Sequence, residues 1–108
     1  MCIRDSNQLE GGAIQATSVA LREEVRFDAR RITSTDWEGY PILRFSEVPA
    51  VEVDLVASDE PSLGAGEASF GPTVAAIANA VQAALGVRVR DLPLTPDRLL
   101  AAVHAAKD

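Results

Sequence analysis

Ile14, Ser18, Leu21 and Val25 follow one another at steps of four, three and four, the period of an α-helix that buries one stripe, with Arg22, Glu23 and Glu24 beside it. A helix is therefore expected over 13–25, entered after Gly11-Gly12. The period then shortens. Val25 and Phe27 alternate with charges, Asp28-Ala29-Arg30 supplies a turn and Ile32 resumes the alternation, which predicts a β-hairpin with Arg30 and Arg31 at its turn. Gly39 and Pro41 interrupt the pattern, and 42–45 reads as a short strand before a loop at 46–49. In 51–56, Val51, Val53 and Leu55 fall on one face and Glu52 and Asp54 on the other, the plainest strand pattern in the chain.

Turn formers accumulate from Ala57 to Pro72, predicting a long loop. Beyond it Val74, Ile77, Ala78, Val81 and Leu85 recur at helical steps, with Gly86 in the usual terminating position. Residues 87–94 read as a short strand, and Thr95-Pro96 opens a last helix to about Ala106. The expected class is α/β, of the segregated α+β kind. No charged side chain occurs between Glu67 and Arg88. A helix so uniformly apolar is expected to be buried on every side, which a chain of 108 residues rarely achieves alone, so further protein is expected around it. A bilayer span is not expected, because Gly71-Pro72 and Gly86 bracket too short an Ala-rich run.

Composition narrows the function classes. Sixteen acidic against ten basic residues give a net charge of -6, so phosphate neutralisation has no evident source and nucleic acid is not an expected partner. One cysteine and one histidine leave no internal disulfide framework and no multi-cysteine or two-histidine metal site. The opening Met-Cys-Ile-Arg-Asp-Ser has no hydrophobic period and is read as a non-native leader over residues 1–6, with 7–108 as the domain fragment and Cys2 without a role. His104, near a chain end, is likewise given none.

The stretch Leu63-Gly-Ala-Gly-Glu-Ala-Ser-Phe-Gly-Pro72 carries the chemistry. Its glycines permit close backbone approach, and they deliver Glu67 just ahead of an uncharged helix. Flanked by Leu63, Ala65, Ala68 and Phe70, that carboxyl would be partly desolvated and poised as a general base. The plain alternative is a loop carboxylate facing water or capping the helix behind it.

Three stretches in this order, Glu10-Gly-Gly-Ala-Ile-Gln-Ala-Thr-Ser-Val-Ala-Leu-Arg-Glu-Glu-Val25, Pro49 to Val56 and Leu63 to Pro96, resemble the C-terminal end of the molybdenum-binding subunit of the xanthine dehydrogenase and aldehyde oxidase family. Bacterial aldehyde-oxidase-like and isoquinoline-oxidoreductase-like members are most similar, and the resemblance covers roughly residues 7–103. It implies a fragment of a molybdenum hydroxylase with Glu67 as the base acting on the water-derived oxygen that is transferred to an aldehyde or N-heterocycle. It further implies a molybdopterin cofactor, its cytosine dinucleotide form left open, cradled by Gln15 and by Gly64, Ala65 and Gly66. Electrons would leave through iron–sulfur centres on another subunit or domain, and the remainder of the large subunit would be a partner. Two departures stand out: Ala16 follows Gln15 where the family pairs glutamine with glycine, and Gly-Glu-Ala-Ser replaces Gly-Glu-Pro-Pro. The compartment is not implied.

Other polar residues receive structural readings: Arg22, Glu23 and Glu24 as a solvated helix face, Trp37 and Tyr40 as loop packing. The competing function class is a free-standing small α/β interaction module that buries its apolar helix against a partner or a second copy, without chemistry.

Overall fold

The computed structural model describes residues 3–61 and 63–107; Cys2 lies outside them. Helix α1 spans Ile3–Leu21, α2 Phe70–Leu85 and α3 Pro96–Ala105, with a short 3-10 turn at Phe45–Glu47. Among the described residues there is no strand, so the α/β expectation is corrected to an all-helical core wrapped by irregular chain.

The expected hairpin shrinks to one antiparallel bridge, Phe27 to Ile32. Its turn forms where Asp28 places it, the Asp28 carboxylate accepting from the backbone N–H of Arg30 at 2.7 Å and Arg31 at 2.9 Å. The run 51–56 keeps its alternation, with Val51, Val53 and Leu55 half-buried and Glu52 and Asp54 exposed, yet no ladder forms on it. Residues 42–44 and 87–94 are likewise extended or bent chain rather than strands. Alternation specifies which face is apolar, whereas a strand also needs a neighbour to take its N–H and C=O groups. The described residues supply none.

Helix α1 starts at Ile3, ten residues ahead of expectation, and runs straight through Gly11-Gly12. Its buried line is Gly12, Ala16 and Ala20, with Ser18 beside it, rather than Ile14, Leu21 and Val25. These small residues at steps of four let α2 lie close against α1, and hydropathy gives them little weight. Val25 falls outside the helix and is exposed.

Helix α2 begins at Phe70, so Gly71 and Pro72 occupy its first turn, where a missing N–H costs nothing. Its other end is as expected: Gly86 adopts φ 73° and donates its N–H to the Gln82 carbonyl at 2.9 Å. This chain does not bury α2 on every side, since no residue of the helix is fully buried, so the covering protein expected around it is not supplied by the described residues. One face meets α1, and Ala75, Ala76, Ala80, Ala83 and Ala84 remain exposed. The buried apolar core is Ala16, Ala20 and Leu94, and the Leu94 N–H donates to the Ala20 carbonyl at 2.7 Å, capping one of the free carbonyls at the end of α1.

So small a core leaves a loose outline. The radius of gyration is 16.9 Å, against about 13 Å for a compact chain of this length. The accessible surface is 8486 Å², against about 5,800 Å² for a compact monomer of this mass. Surface in this excess, with Phe27, Trp37, Phe45 and Leu63 exposed on it, is characteristic of a segment that packs against more protein.

Candidate functional site

The turn formed by residues 66–69 lies against the N-terminal half of α1. The Ser69 hydroxyl donates to the Leu9 carbonyl at 2.8 Å across sixty positions of sequence. A Cβ on Gly12 would come within 2.5 Å of Ser69 Oγ and 3.4 Å of the Gly66 carbonyl, so only glycine lets the two segments approach this closely. The turn closes on itself as the Phe70 N–H donates to the Glu67 carbonyl at 3.1 Å.

Gln15 lies one helical turn beyond Gly12 on the same side of α1. It therefore shares a cavity of about 480 Å³ with Gly66, Glu67, Phe70 and Gly71. The structure thus joins two residues singled out separately from sequence. Ala16 is fully buried, so its methyl is accommodated in the core while the exposed Gln15 amide keeps the cavity side.

The shielding expected around Glu67 is not provided by this chain. Glu67 and Ala68 are exposed, Leu63 is 91% exposed, and Ala65 and Phe70 are only half-buried. The apolar flank read from sequence points outward, because a loop residue's neighbours in sequence need not pack on it.

Gly64 and Gly66 are exposed and Ala65 is half-buried, and of the three only Gly66 lines the cavity. None of their N–H groups finds an acceptor among the described residues. A Cβ at Gly64 would meet nothing within 4 Å, and one at Gly66 only Gln8 Oε1 at 3.9 Å. Free backbone donors, a glutamine amide and an open glycine flank suit a polar, oxygen-rich planar group better than a bare cation. No cluster of three or more His, Cys, Asp or Glu side chains suited to a metal occurs among the described residues.

In the sequence Gln8 and Ser69 carried no expected role, and Gly12 figured only as the approach to the first helix. The signal for Gln8 and Gly12 was available, since residues 8, 12 and 15 fall on one face of a helix. For Ser69 there was none, because its partner is a main-chain carbonyl in a distant helix.

A larger cavity, about 670 Å³, lies between α2 and residues 88–92 and is walled by Val19, Val74, Ala78 and Val89. It shares Phe70 and Gly71 with the first but holds no residue expected to do chemistry. Arg22, Glu23 and Glu24 are not a free helix face. They lie just past α1, where the chain folds back, and pair with Glu47, the Tyr40 hydroxyl and Arg98 respectively. Hydrogen bonding to Glu23 is the main cause that raises the Tyr40 pKa above 10.0, with burial and the Glu23 charge adding to it. Tyr40 is thus tied down, whereas Trp37 is 76% exposed. His104 is exposed in the last turn of α3. No helix among the described residues is long and apolar enough to cross a membrane.

No family model matches the chain. It is 45% identical over 98 residues to one of the subunits of nicotinate dehydrogenase from Pseudomonas putida, covering 90% of this chain and 8% of that protein. It is 36% identical over 102 residues to the aldehyde oxidoreductase molybdenum-binding subunit PaoC of Escherichia coli K12, covering 87% of this chain and 14% of that one. Among solved structures, quinoline 2-oxidoreductase from Pseudomonas putida 86 superposes with a TM-score of 0.81 at 28% identity, covering 92% of this chain and 14% of that chain. The chain therefore spans about a seventh or less of the relatives it matches.

Proposed function

Because this chain belongs to the xanthine dehydrogenase and aldehyde oxidase family, as a segment of its molybdenum-binding subunit, we propose that it forms the C-terminal part of a molybdenum hydroxylase acting on an N-heterocycle or aldehyde. The observation that carries the reading is the meeting of Gln15 and Glu67, from opposite halves of the chain, on one cavity. Its volume lies within the ~300–1,000 Å³ usual for small-molecule sites.

In this reading the Gln15 amide and the free N–H groups of Gly64, Ala65 and Gly66 hold molybdopterin. The cofactor, when bound, would supply an electrophilic metal centre that takes the hydrogen and both electrons of the substrate C–H bond, which breaks as the new C–O bond forms. The Glu67 carboxylate accepts the proton that the water-derived oxygen releases as it bonds to that carbon. Its shielding from water falls to the remainder of the large subunit, and iron–sulfur centres on another subunit or domain carry the electrons away.

Replacing Glu67 by Gln in the full-length protein tests the assignment, with nicotinate and an aromatic aldehyde as probes. A general base is worth roughly 10²–10⁴ in rate, so turnover per molybdenum is expected to fall by that much at unchanged molybdenum content. Turnover near that of the unaltered protein would overturn the role. Mass spectrometry of the extracted cofactor distinguishes the cytosine dinucleotide form from the bare pterin.

A further inference from the structure

We propose that Ser69 is a positioning residue for Glu67, acting as a latch that fixes the 66–69 turn on α1. The proposal rests on the general-base reading of Glu67 and extends it to a residue outside the cavity wall.

Three contacts define the latch. The Ser69 hydroxyl donates to the Leu9 carbonyl at 2.8 Å, in a part-buried position. Gly12 leaves the space that hydroxyl occupies, since a Cβ there would lie 2.5 Å from it. The Phe70 N–H closes the turn on the Glu67 carbonyl at 3.1 Å, so Glu67 is one short arc away from the pinned residue. On one side the Ser69 carbonyl accepts from the Thr73 N–H at 3.1 Å and joins the turn to α2, whereas on the side leading to Glu67 from Leu63 the backbone supplies little restraint of its own. Gly64, Ala65 and Gly66 make no main-chain hydrogen bond among the described residues, and Leu63 is almost fully exposed. The hydroxyl is thus the polar tie between this turn and the helix that carries Gln15. Loosening it lets the carboxylate drift relative to the amide across the cavity. Misplacement of a catalytic group by about 1 Å costs up to roughly 100-fold in rate.

The test uses the full-length protein, with kcat per bound molybdenum and KM measured on nicotinate and an aromatic aldehyde, and amide hydrogen exchange followed over 63–70. Ser69→Ala is expected to lower kcat per molybdenum roughly 10- to 100-fold, to leave KM nearly unchanged and to speed exchange over the turn. Ser69→Thr, which keeps the hydroxyl, should restore most of both. Gly12→Ala should speed exchange as well, while Gly12→Ala combined with Ser69→Ala should be no worse than Ser69→Ala alone, the colliding oxygen being gone. A merely structural serine would reduce the yield of loaded protein without changing kcat per molybdenum. Unaltered exchange in Ser69→Ala, or faster exchange with full kcat, would overturn the latch while an inactive Glu67→Gln protein left the general-base reading standing. Full turnover in Glu67→Gln would remove both.

Discussion

A Cβ on Gly12 would sit 2.5 Å from Ser69 Oγ, whereas one on the adjacent Gly11 would meet nothing within 4 Å. Two neighbouring glycines in α1 therefore respond oppositely to the same substitution. Gly11→Ala gains helix propensity of about 1 kcal/mol. Gly12→Ala gains the same but forces the Ser69 hydroxyl out of its place, the lost hydrogen bond and the over-packed contact together costing about 1–3 kcal/mol. Amide exchange across α1 in the full-length protein should slow in Gly11→Ala and quicken in Gly12→Ala. Equal effects would show that the turn does not pack on α1 as described.

The Tyr40 hydroxyl donates to Glu23 Oε2 at 2.7 Å, and the Leu43 N–H donates to Ser18 Oγ at 3.1 Å, so the 36–43 loop is tied to the end of α1 twice. Because the bond needs the protonated phenol, the raised pKa means that its contribution is fully present below pH 10.0 and is lost as pH climbs through the higher folded value. For a part-buried pair this amounts to about 1 kcal/mol. The loop should loosen only above pH 10, seen as faster exchange at Leu43, and Tyr40→Phe should already be loosened at neutral pH with no further change in that range. A Tyr40→Phe loop as protected as the unaltered one would show that Ser18 alone holds it.

Local chemistry was readable and partnership was not. Gly86, the Asp28 turn and Pro96 at the start of α3 sit where backbone rules place them, because each acts through its own neighbours. The strands failed for the converse reason, as Val51, Val53 and Leu55 show a buried face with no ladder among the described residues. The buried stripe of α1 was misread because Gly12, Ala16 and Ala20 are small rather than strongly apolar. At the candidate site, Glu67 was singled out by its glycine-rich loop and Gln15 by resemblance, whereas the Ser69 tie that brings their segments together leaves no periodic trace.

Arg98 pairs with Glu24 and donates to the carbonyls of Leu92 and Pro93, the latter at 3.2 Å, so one guanidinium fastens α3 to the chain that leaves α1. Both charged side chains are about one-third exposed, which reduces the electrostatic part. Arg98→Ala should weaken the docking of α3 by about 1–2 kcal/mol. Arg98→Lys should recover less than half of that, because an ammonium cannot reach three acceptors in the guanidinium's planar geometry. Limited proteolysis of the full-length protein reads this out through cleavage after residue 95. Arg98→Lys matching the unaltered protein would leave the charge alone responsible.

The exposed faces make a prediction about the chain on its own. Among the described residues its apolar core consists of Ala16, Ala20 and Leu94, while Phe27, Phe45, Leu63 and Leu100 are exposed. Folding must offset roughly 1–2 kcal/mol of backbone entropy per residue, and three buried side chains, two of them alanine, recover only a small fraction at about 25 cal/mol per Å². The isolated 108-residue chain is expected to bind a hydrophobic dye strongly, to melt without a sharp transition, and to show no turnover of nicotinate even when supplied with molybdenum cofactor. Its helices should become protected from exchange only within the complete subunit. A sharp, concentration-dependent melt would instead reveal a self-sufficient assembly of copies of this chain, and would favour the interaction-module reading over the hydroxylase segment.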